Sequence, residues 1–308
     1  MKNILVTGCA GFIGSHTVDA LLADGHNIVG VDCLTYAASK ENMNSFISEI
    51  EFYEVDIVNK EKMSRIVEKH NIDWIINFAA ETHVDNSINS AAPFLHSNIN
   101  GVYSLLEVCR QFDCRFFQIS TDEVYGSTRD GSFVETDKLN PRNPYAATKA
   151  AAEHLVTSFF NTYGLEYKIV RMSNNFGPRQ HREKFIPTIL RSLKNNQKIP
   201  IYGDGKNIRD WFYVKDCAKS IVEVFNSGKN NEAYNLSLQN EMENIEIVGL
   251  ILDVLELPFE ENTTFVEDRL GHDFRYSIDN EKLLSLKKQK PTNFKQCLLE
   301  TIESSGVS

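Results

Sequence analysis

Apolar and polar positions alternate along the first half of this chain in two rhythms. Asn3–Thr7 carries Ile4-Leu5-Val6 and runs into glycines, the pattern of a short strand buried on both faces. Residues 13–23 then repeat apolar positions at helical spacing. Asn27–Asp32 (NIVGVD) predicts a second strand, residues 51–55 a third, and Lys60–His70 an amphipathic helix. Two more strands, 73–78 and 115–120, flank a helix over 92–111; a helix over 145–163 and a strand at Tyr167–Met172 follow. Repeated β-α-β units need a parallel sheet covered by helices on both faces. Right-handed crossovers make this an α/β fold with a doubly wound parallel Rossmann-type sheet.

Beyond Met172 the rhythm loosens. Pro178, Pro187, Pro200 and the turn Gly203-Asp204-Gly205 divide longer loops, with helices predicted over 185–195, 214–226, 245–254 and 280–286 among short strands. The expected organisation is a Rossmann domain over 1–173, to which 209–236 partly return, and a smaller C-terminal substrate-binding lobe over 174–308. Residues 304–308 read as a frayed tail.

Composition narrows the classes. A hydrophobic fraction of 42% and a charged fraction of 24% suit a packed core in water. No apolar run approaches the roughly 18 residues that span a bilayer. Ile4-Leu5-Val6 is too short for a secretory signal, so a cytoplasmic protein with no membrane partner is expected. A net charge of −10 and a pI near 5.4 lack the basic footprint of a nucleic-acid binder. They leave room for a few cations in a pocket holding a small phosphorylated ligand. The six cysteines are scattered with no C-x-x-C pair, which predicts reduced thiols and no metal site.

The chemistry gathers at three places. Gly8, Gly11 and Gly14 stand between the first strand and first helix in Thr7-Gly8-Cys9-Ala10-Gly11-Phe12-Ile13-Gly14. Glycines there let the backbone turn and approach a pyrophosphate, which the helix N-terminus then attracts. A glycine triad alone is a weak signal; here an acid, Asp32, closes the second strand about 20 residues on, where it can accept from ribose hydroxyls. That carboxylate would repel a 2′-phosphate, which favours NAD over NADP as the cofactor.

Tyr145 and Lys149 lie four apart at a helix start and share a face. An ammonium and a positive nicotinamide ring near a tyrosine favour its phenolate, a base for a sugar hydroxyl. Spacing alone would fit an ordinary surface pair equally well. Ser120-Thr121-Asp122-Glu123-Val124-Tyr125-Gly126 follows the fifth strand, on the edge of the sheet where ligands bind, and its adjacent acids offer an acid and a base together. Alone it would read as a solvated turn; two such signals on one Rossmann frame point to an active site.

These residues, with FAAETHVDNS (78–87), NPYAATKAAAEH (143–154), SNNFGPRQ (173–180), EKFIP (183–187), YGDGKNIRDWFYVKD (202–216) and DRLGHDFRY (268–276), carry a resemblance over nearly the whole chain. The sequence resembles the extended short-chain dehydrogenase/reductases, and within them the dTDP-glucose 4,6-dehydratases. The resemblance implies an NAD-dependent hydro-lyase acting on a nucleotide-diphosphate sugar, and a homodimer joined through the helices over 92–111 and 145–163. It implies that Tyr145 takes the O4 proton, that Lys149 supports it and that Thr121 bonds the same oxygen. Glu123 then removes the C5 proton, and protonated Asp122 helps the C6 hydroxyl leave.

By the same resemblance, Phe12, Ile13, Asp32, Asp56, Ile57, Ala79, Ala80, Thr82, Ser97, Tyr145, Lys149 and Asn175 join the glycines as cofactor contacts. Thr82, Asn174, Lys184, Arg209, Asn244, Arg269 and His272 are expected against the nucleotide sugar. Asn86 departs from the bacterial dTDP-glucose pattern, and HVDNS is more similar to UDP-glucose 4,6-dehydratases of rhamnose pathways, whereas RDW and DRLGHDFRY look like the dTDP-glucose type. The rivals are an epimerase or a decarboxylase of the same fold, and a non-catalytic NAD-binding protein. The Asp122-Glu123 pair argues against the first two, and the retained set Thr121, Asp122, Glu123, Tyr145 and Lys149 against the third.

Overall fold

A computed structural model describes residues 1–268, 273–286 and 290–307. Its strands are β1 (Asn3–Thr7), β2 (Asn27–Asp32), β3 (Glu51–Glu54), β4 (Trp74–Asn77), β5 (Arg115–Thr121), β6 (Tyr167–Met172), β7 (Asn174–Phe176), β8 (Ile199–Tyr202), β9 (Ile208–Tyr213), β10 (Glu232–Leu236), β11 (Glu241–Glu243) and β12 (Thr263–Val266). The helices are α1 (Phe12–Ala23), α2 (Lys60–His70), α3 (Val84–Asn89), α4 (Ala92–Phe94), α5 (Val102–Phe112), α6 (Pro144–Tyr163), α7 (Phe185–Lys194), α8 (Val214–Ser227), α9 (Asn244–Val254), α10 (Phe259–Asn262), α11 (Glu281–Leu284) and α12 (Phe294–Ser305).

The main sheet has seven strands in the order β10-β6-β5-β4-β1-β2-β3, paired in parallel throughout. Strand alternation explains how it is covered. Ile4 and Val6 of β1 pack on one face with Val18 and Leu21 of α1 and Ile221 and Phe225 of α8. Leu5, between them, faces the opposite side with Met63 and Ile66 of α2 and Leu105 of α5. The sheet is doubly wound, as expected, and the chain reverses direction across it between β1 and β4, where a crevice opens beyond the strand ends. A third core, built on Phe176, Ile186, Trp211, Ile247 and Leu298, holds the sheet β11-β9-β7 and the pair β12-β8.

Three segments differ from the sequence reading. The helix expected over 92–111 is wound in three parts: α4, a π-helical stretch from Leu95 to Gly101, and α5. Gly101 lies in that stretch, and a Cβ there would meet Ile57 at 2.4 Å. The helix expected over 280–286 shrinks to the single turn α11. Residues 304 and 305, read as tail, belong to α12, whose apolar face (Cys297, Leu298, Ile302) is buried in the third core and which ends at Gly306 with φ +66°.

Candidate active site

Loops from β1, β2, β4 and β5 meet the start of α6 around a cavity of about 300 Å³ at the switch point. Gly8 has φ +66°, and a Cβ on it would lie 2.7 Å from the Ala79 nitrogen. A Cβ on Gly14 would lie 2.2 Å from the Gly8 oxygen, so the turn and the helix behind it close only with glycine. No side chain caps α1 at Gly11, which leaves its first N–H groups toward the cavity. Asp32 is nearly buried; its carboxylate accepts from the Ala10 N–H at 3.0 Å and the Leu34 N–H at 2.8 Å. Burial raises its pKa, and those backbone bonds oppose the rise. The glycine turn and the acid are therefore one rigid unit. A cradle that excludes any Cβ, a bare helix N-terminus and a fixed carboxylate fit a dinucleotide.

The opposite wall is set by α6. Asn143 caps this helix and Pro144 occupies its first turn. Tyr145 and Lys149 follow one turn apart, both buried. Lys149 donates to the Ile119 carbonyl at 2.6 Å, and burial pushes its amine down to about 8, with the Glu153 charge opposing. Burial pushes the Tyr145 phenol up; the Glu123 charge adds to that rise and a hydrogen bond with Thr121 opposes it. The charges bearing on Tyr145 are the carboxylates of Glu123 and Asp122, and the Lys149 ammonium bonds the Ile119 carbonyl. Those carboxylates oppose proton release from Tyr145, and a positive nicotinamide ring beside the phenol would favour it.

Thr121 ends β5. Its hydroxyl donates to Asp122 at 3.2 Å and accepts the Glu123 N–H at 3.3 Å, which closes the turn Asp122–Tyr125 and presents both acids at the cavity. Asp122 is 4% exposed, and burial followed by the charge of Glu123 raises its pKa to about 8. Glu123, half-buried, is raised chiefly by burial and held back by Asn143, Arg209 and Lys184. Both acids are thus held above the ordinary carboxylate range, Asp122 in part by the charge of its neighbour.

Residues 5–298 match the family model described as GDP-mannose 4,6 dehydratase. The chain is 45% identical over 288 residues to the low-salt glycan biosynthesis protein Agl12 of Haloferax volcanii, covering 92% of each. It is 39% identical over 332 residues to dTDP-glucose 4,6-dehydratase 1 of Escherichia coli, covering 98% of this chain and 92% of that one. A solved dTDP-glucose 4,6-dehydratase from Streptomyces venezuelae, with NAD and TYD bound, superposes with a TM-score of 0.93 at 37% identity, covering 98% of this chain and 96% of that one. The chain belongs to the dTDP-glucose 4,6-dehydratase family.

Most residues expected at this dehydratase site line the one cavity: Gly8, Gly11, Phe12, Ile13, Gly14, Asp32, Asp56, Ile57, Ala79, Ala80, Thr82, Ser97, Thr121, Asp122, Glu123, Tyr145, Lys149, Asn174, Asn175 and Lys184. Lys184 donates to the Thr82 carbonyl at 3.1 Å, which joins the second lobe to the first. Arg209 and Asn244 are not brought to the wall. Arg209 bonds the carbonyls of Ile208, Asp273 and Phe274 and lies 4.5 Å over the Tyr276 ring, clasping that segment. Asn244 begins α9, with its N–H bonded to the Asn207 carbonyl. Arg269 and His272 lie outside the described residues.

Two residues were missed. Asn98 is fully buried on the π-helical stretch; its amide accepts the Glu81 N–H at 2.9 Å and donates to the Glu81 carbonyl and the Thr148 hydroxyl, each at 3.0 Å. It thereby locks the Ala79–Thr82 loop onto α6, and nothing in its spacing signals this. Asn143, before Pro144, is legible as a helix cap, but its second bond, to Glu123, is not.

Proposed function

We propose that this protein is a nucleotide-sugar 4,6-dehydratase, converting dTDP-glucose or UDP-glucose into the 4-keto-6-deoxy sugar nucleotide and water. The observation that carries this reading is the pair of adjacent acids facing the cavity of Tyr145 and Lys149, one of them raised by burial to about 8. An epimerase or decarboxylase has no step that uses a neutral acid beside a basic carboxylate at this place. NAD, bound in the glycine cradle, supplies a reversible store for the hydride.

Tyr145 takes the proton from the sugar O4, with Thr121 hydrogen-bonded to the same oxygen and Lys149 holding the local charge. Oxidation at C4 makes the neighbouring C5–H acidic, and Glu123 removes it. Asp122 gives its proton to the C6 hydroxyl, which leaves as water and leaves a C5=C6 double bond; return of the C4 hydride to C6 and of a proton to C5 then gives the 4-keto-6-deoxy sugar. This order is required chemically, because C6–OH departs only when C5 can supply an electron pair. The residues of 1–173, with 209–236 returning, form the NAD-binding unit, and 174–308 mainly hold the nucleotide sugar. The product class fits deoxysugar biosynthesis such as that of rhamnose, in the cytoplasm. A homodimer is supported by the exposed apolar side chains Leu95, Tyr103 and Tyr163 along the π-helical stretch, α5 and α6.

The test is mass spectrometry of the purified protein with dTDP-glucose, UDP-glucose and UDP-N-acetylglucosamine in parallel. Loss of one water from a hexose nucleotide, without accumulated reduced nicotinamide, is expected. An isomer of unchanged mass would replace this reading with epimerisation.

A further inference from the structure

We infer that Asn143 is a positioning residue for water loss: one side chain both starts the helix that carries Tyr145 and Lys149 and holds the Glu123 carboxyl at the cavity by a hydrogen bond. The inference rests on the reading of Glu123 as the C5 base.

The geometry begins with the cap. Asn143 has extended backbone angles, and its Oδ1 accepts the Ala146 N–H at 2.8 Å. With the oxygen committed to the helix, the amide nitrogen must face away from it. There Nδ2 donates to Glu123 Oε2 at 3.1 Å. Asp and Ser cap a helix about as well as Asn. Neither carries an N–H that reaches past the cap, so the helix alone does not call for Asn.

The surroundings of Glu123 make this donor count. Asp122 lies beside it, Tyr145 faces it from α6, and Asp273 and Tyr276 approach from the 273–276 segment. Lys184 and Arg209 supply positive charge, but Lys184 donates to the Thr82 carbonyl and Arg209 to three main-chain carbonyls. Asn143 hydrogen-bonds the Glu123 carboxylate directly. Burial opposes the charged form of Glu123, and the bond from Asn143 is the leading influence that restores it. A donor to a carboxylate favours its ionised state, so removing the donor raises the pKa and moves the acidic limb of the rate profile to higher pH.

Asn143→Ser separates the two roles, since it keeps a cap and removes the donor. The measurement is the pH profile of water loss on the nucleotide sugar that the wild type dehydrates, with the thermal midpoint recorded alongside. In Asn143→Ser the acidic limb moves up by about one pH unit, so kcat is about tenfold lower below the limb and recovers above it. KM and the thermal midpoint stay close to wild type, and reduced nicotinamide persists during turnover because C4 oxidation outruns water loss. Asn143→Asp keeps the cap, adds a like charge and moves the limb further.

An unmoved limb in Asn143→Ser, or a rate lowered equally at every pH together with a lower midpoint, overturns the inference. Glu123→Gln distinguishes the two levels. If it dehydrates fully, the reading of Glu123 as base falls and this inference with it. If it is inactive while Asn143→Ser leaves the limb in place, this inference alone falls.

Discussion

Asp122 and Glu123 are neighbours in the chain with different surroundings. Asp122 is almost fully buried, while Glu123 accepts a bond from Asn143 and feels two cations. That difference supports the proposed roles of Asp122 as acid and Glu123 as base. The folded state holds the Asp122 proton to about pH 8, whereas an unfolded aspartate releases it near 4. Between those values the folded state binds more protons, so this group's contribution to stability is full at low pH and declines as pH rises toward 8. Urea unfolding across that range is expected to show less decline in Asp122→Asn than in the wild type. Water loss in the wild type is expected to fall above about pH 8, as Asp122 loses the proton it must donate. Tyr145→Phe removes the proposed O4 base and is expected to slow C4 oxidation by about 10²- to 10⁴-fold in single-turnover absorbance measurements. Near-normal rates would remove Tyr145 from the role. Arg209 marks the limit of residue-level reading. It precedes Asp210 on β9, and neighbours on a strand point to opposite faces. Accordingly Arg209 clasps the 273–274 backbone, while Asp210 accepts the N–H groups of Leu238 and Asn240.

At the scale of elements, α6 is the reference against which the site is built. Tyr145, Lys149 and Glu153 recur along one face. Glu153 is paired with Arg171 of β6 through bonds of 2.7 and 3.0 Å, with both side chains buried. Arg171 also donates to the Tyr125 hydroxyl and lies 4.8 Å over its ring, and Tyr125 closes the turn that carries the two acids. Helix, strand and acid-bearing turn are thus joined through one buried ion pair. Arg171→Leu leaves the Glu153 charge uncompensated and is expected to destabilise by about 3–5 kcal/mol in urea titrations. The double change Glu153→Leu with Arg171→Leu is expected to destabilise less than the single one, and additive losses would deny the coupling. The glycine turn was legible because its constraint is local. Gly14→Ala is expected to reduce NAD retention and lower the thermal midpoint, since its Cβ would overlap the Gly8 carbonyl. The π-helical winding was not legible, because its apolar pattern is compatible with a uniform helix and the wider turn is stabilised by contacts with distant loops.

For the whole molecule, strand order decides where chemistry can occur. Reversal between β1 and β4 opens a crevice where loops distant in sequence meet. One end of that crevice is shaped by glycine and Asp32, the other by buried acids and α6, so the proposed cofactor and sugar sites lie in one cavity. Outside it, Leu95, Tyr103 and Tyr163 are each about half exposed along neighbouring helical segments. Large apolar side chains grouped in this way fit a partner surface. Tyr103→Glu is therefore expected to shift the proposed dimer toward monomer in sedimentation velocity, and a wild type that sediments as a monomer would remove this surface from consideration.

The sequence by itself determined the alternation of strands and helices through Met172, the glycine turn with its acid, and the identity of Thr121, Asp122, Glu123, Tyr145 and Lys149. Those features are local: backbone space, helical spacing and side-chain type are written in short windows of residues. Tertiary structure decided what the groups do to one another. It bonded Lys149 to the Ile119 carbonyl, drew Arg209 into a clasp, wound residues 95–101 as a π-helix and gave the cap of α6 a second bond to Glu123. Burial, orientation and the partners of a charged group depend on residues far apart in the chain, and no window of sequence contains them.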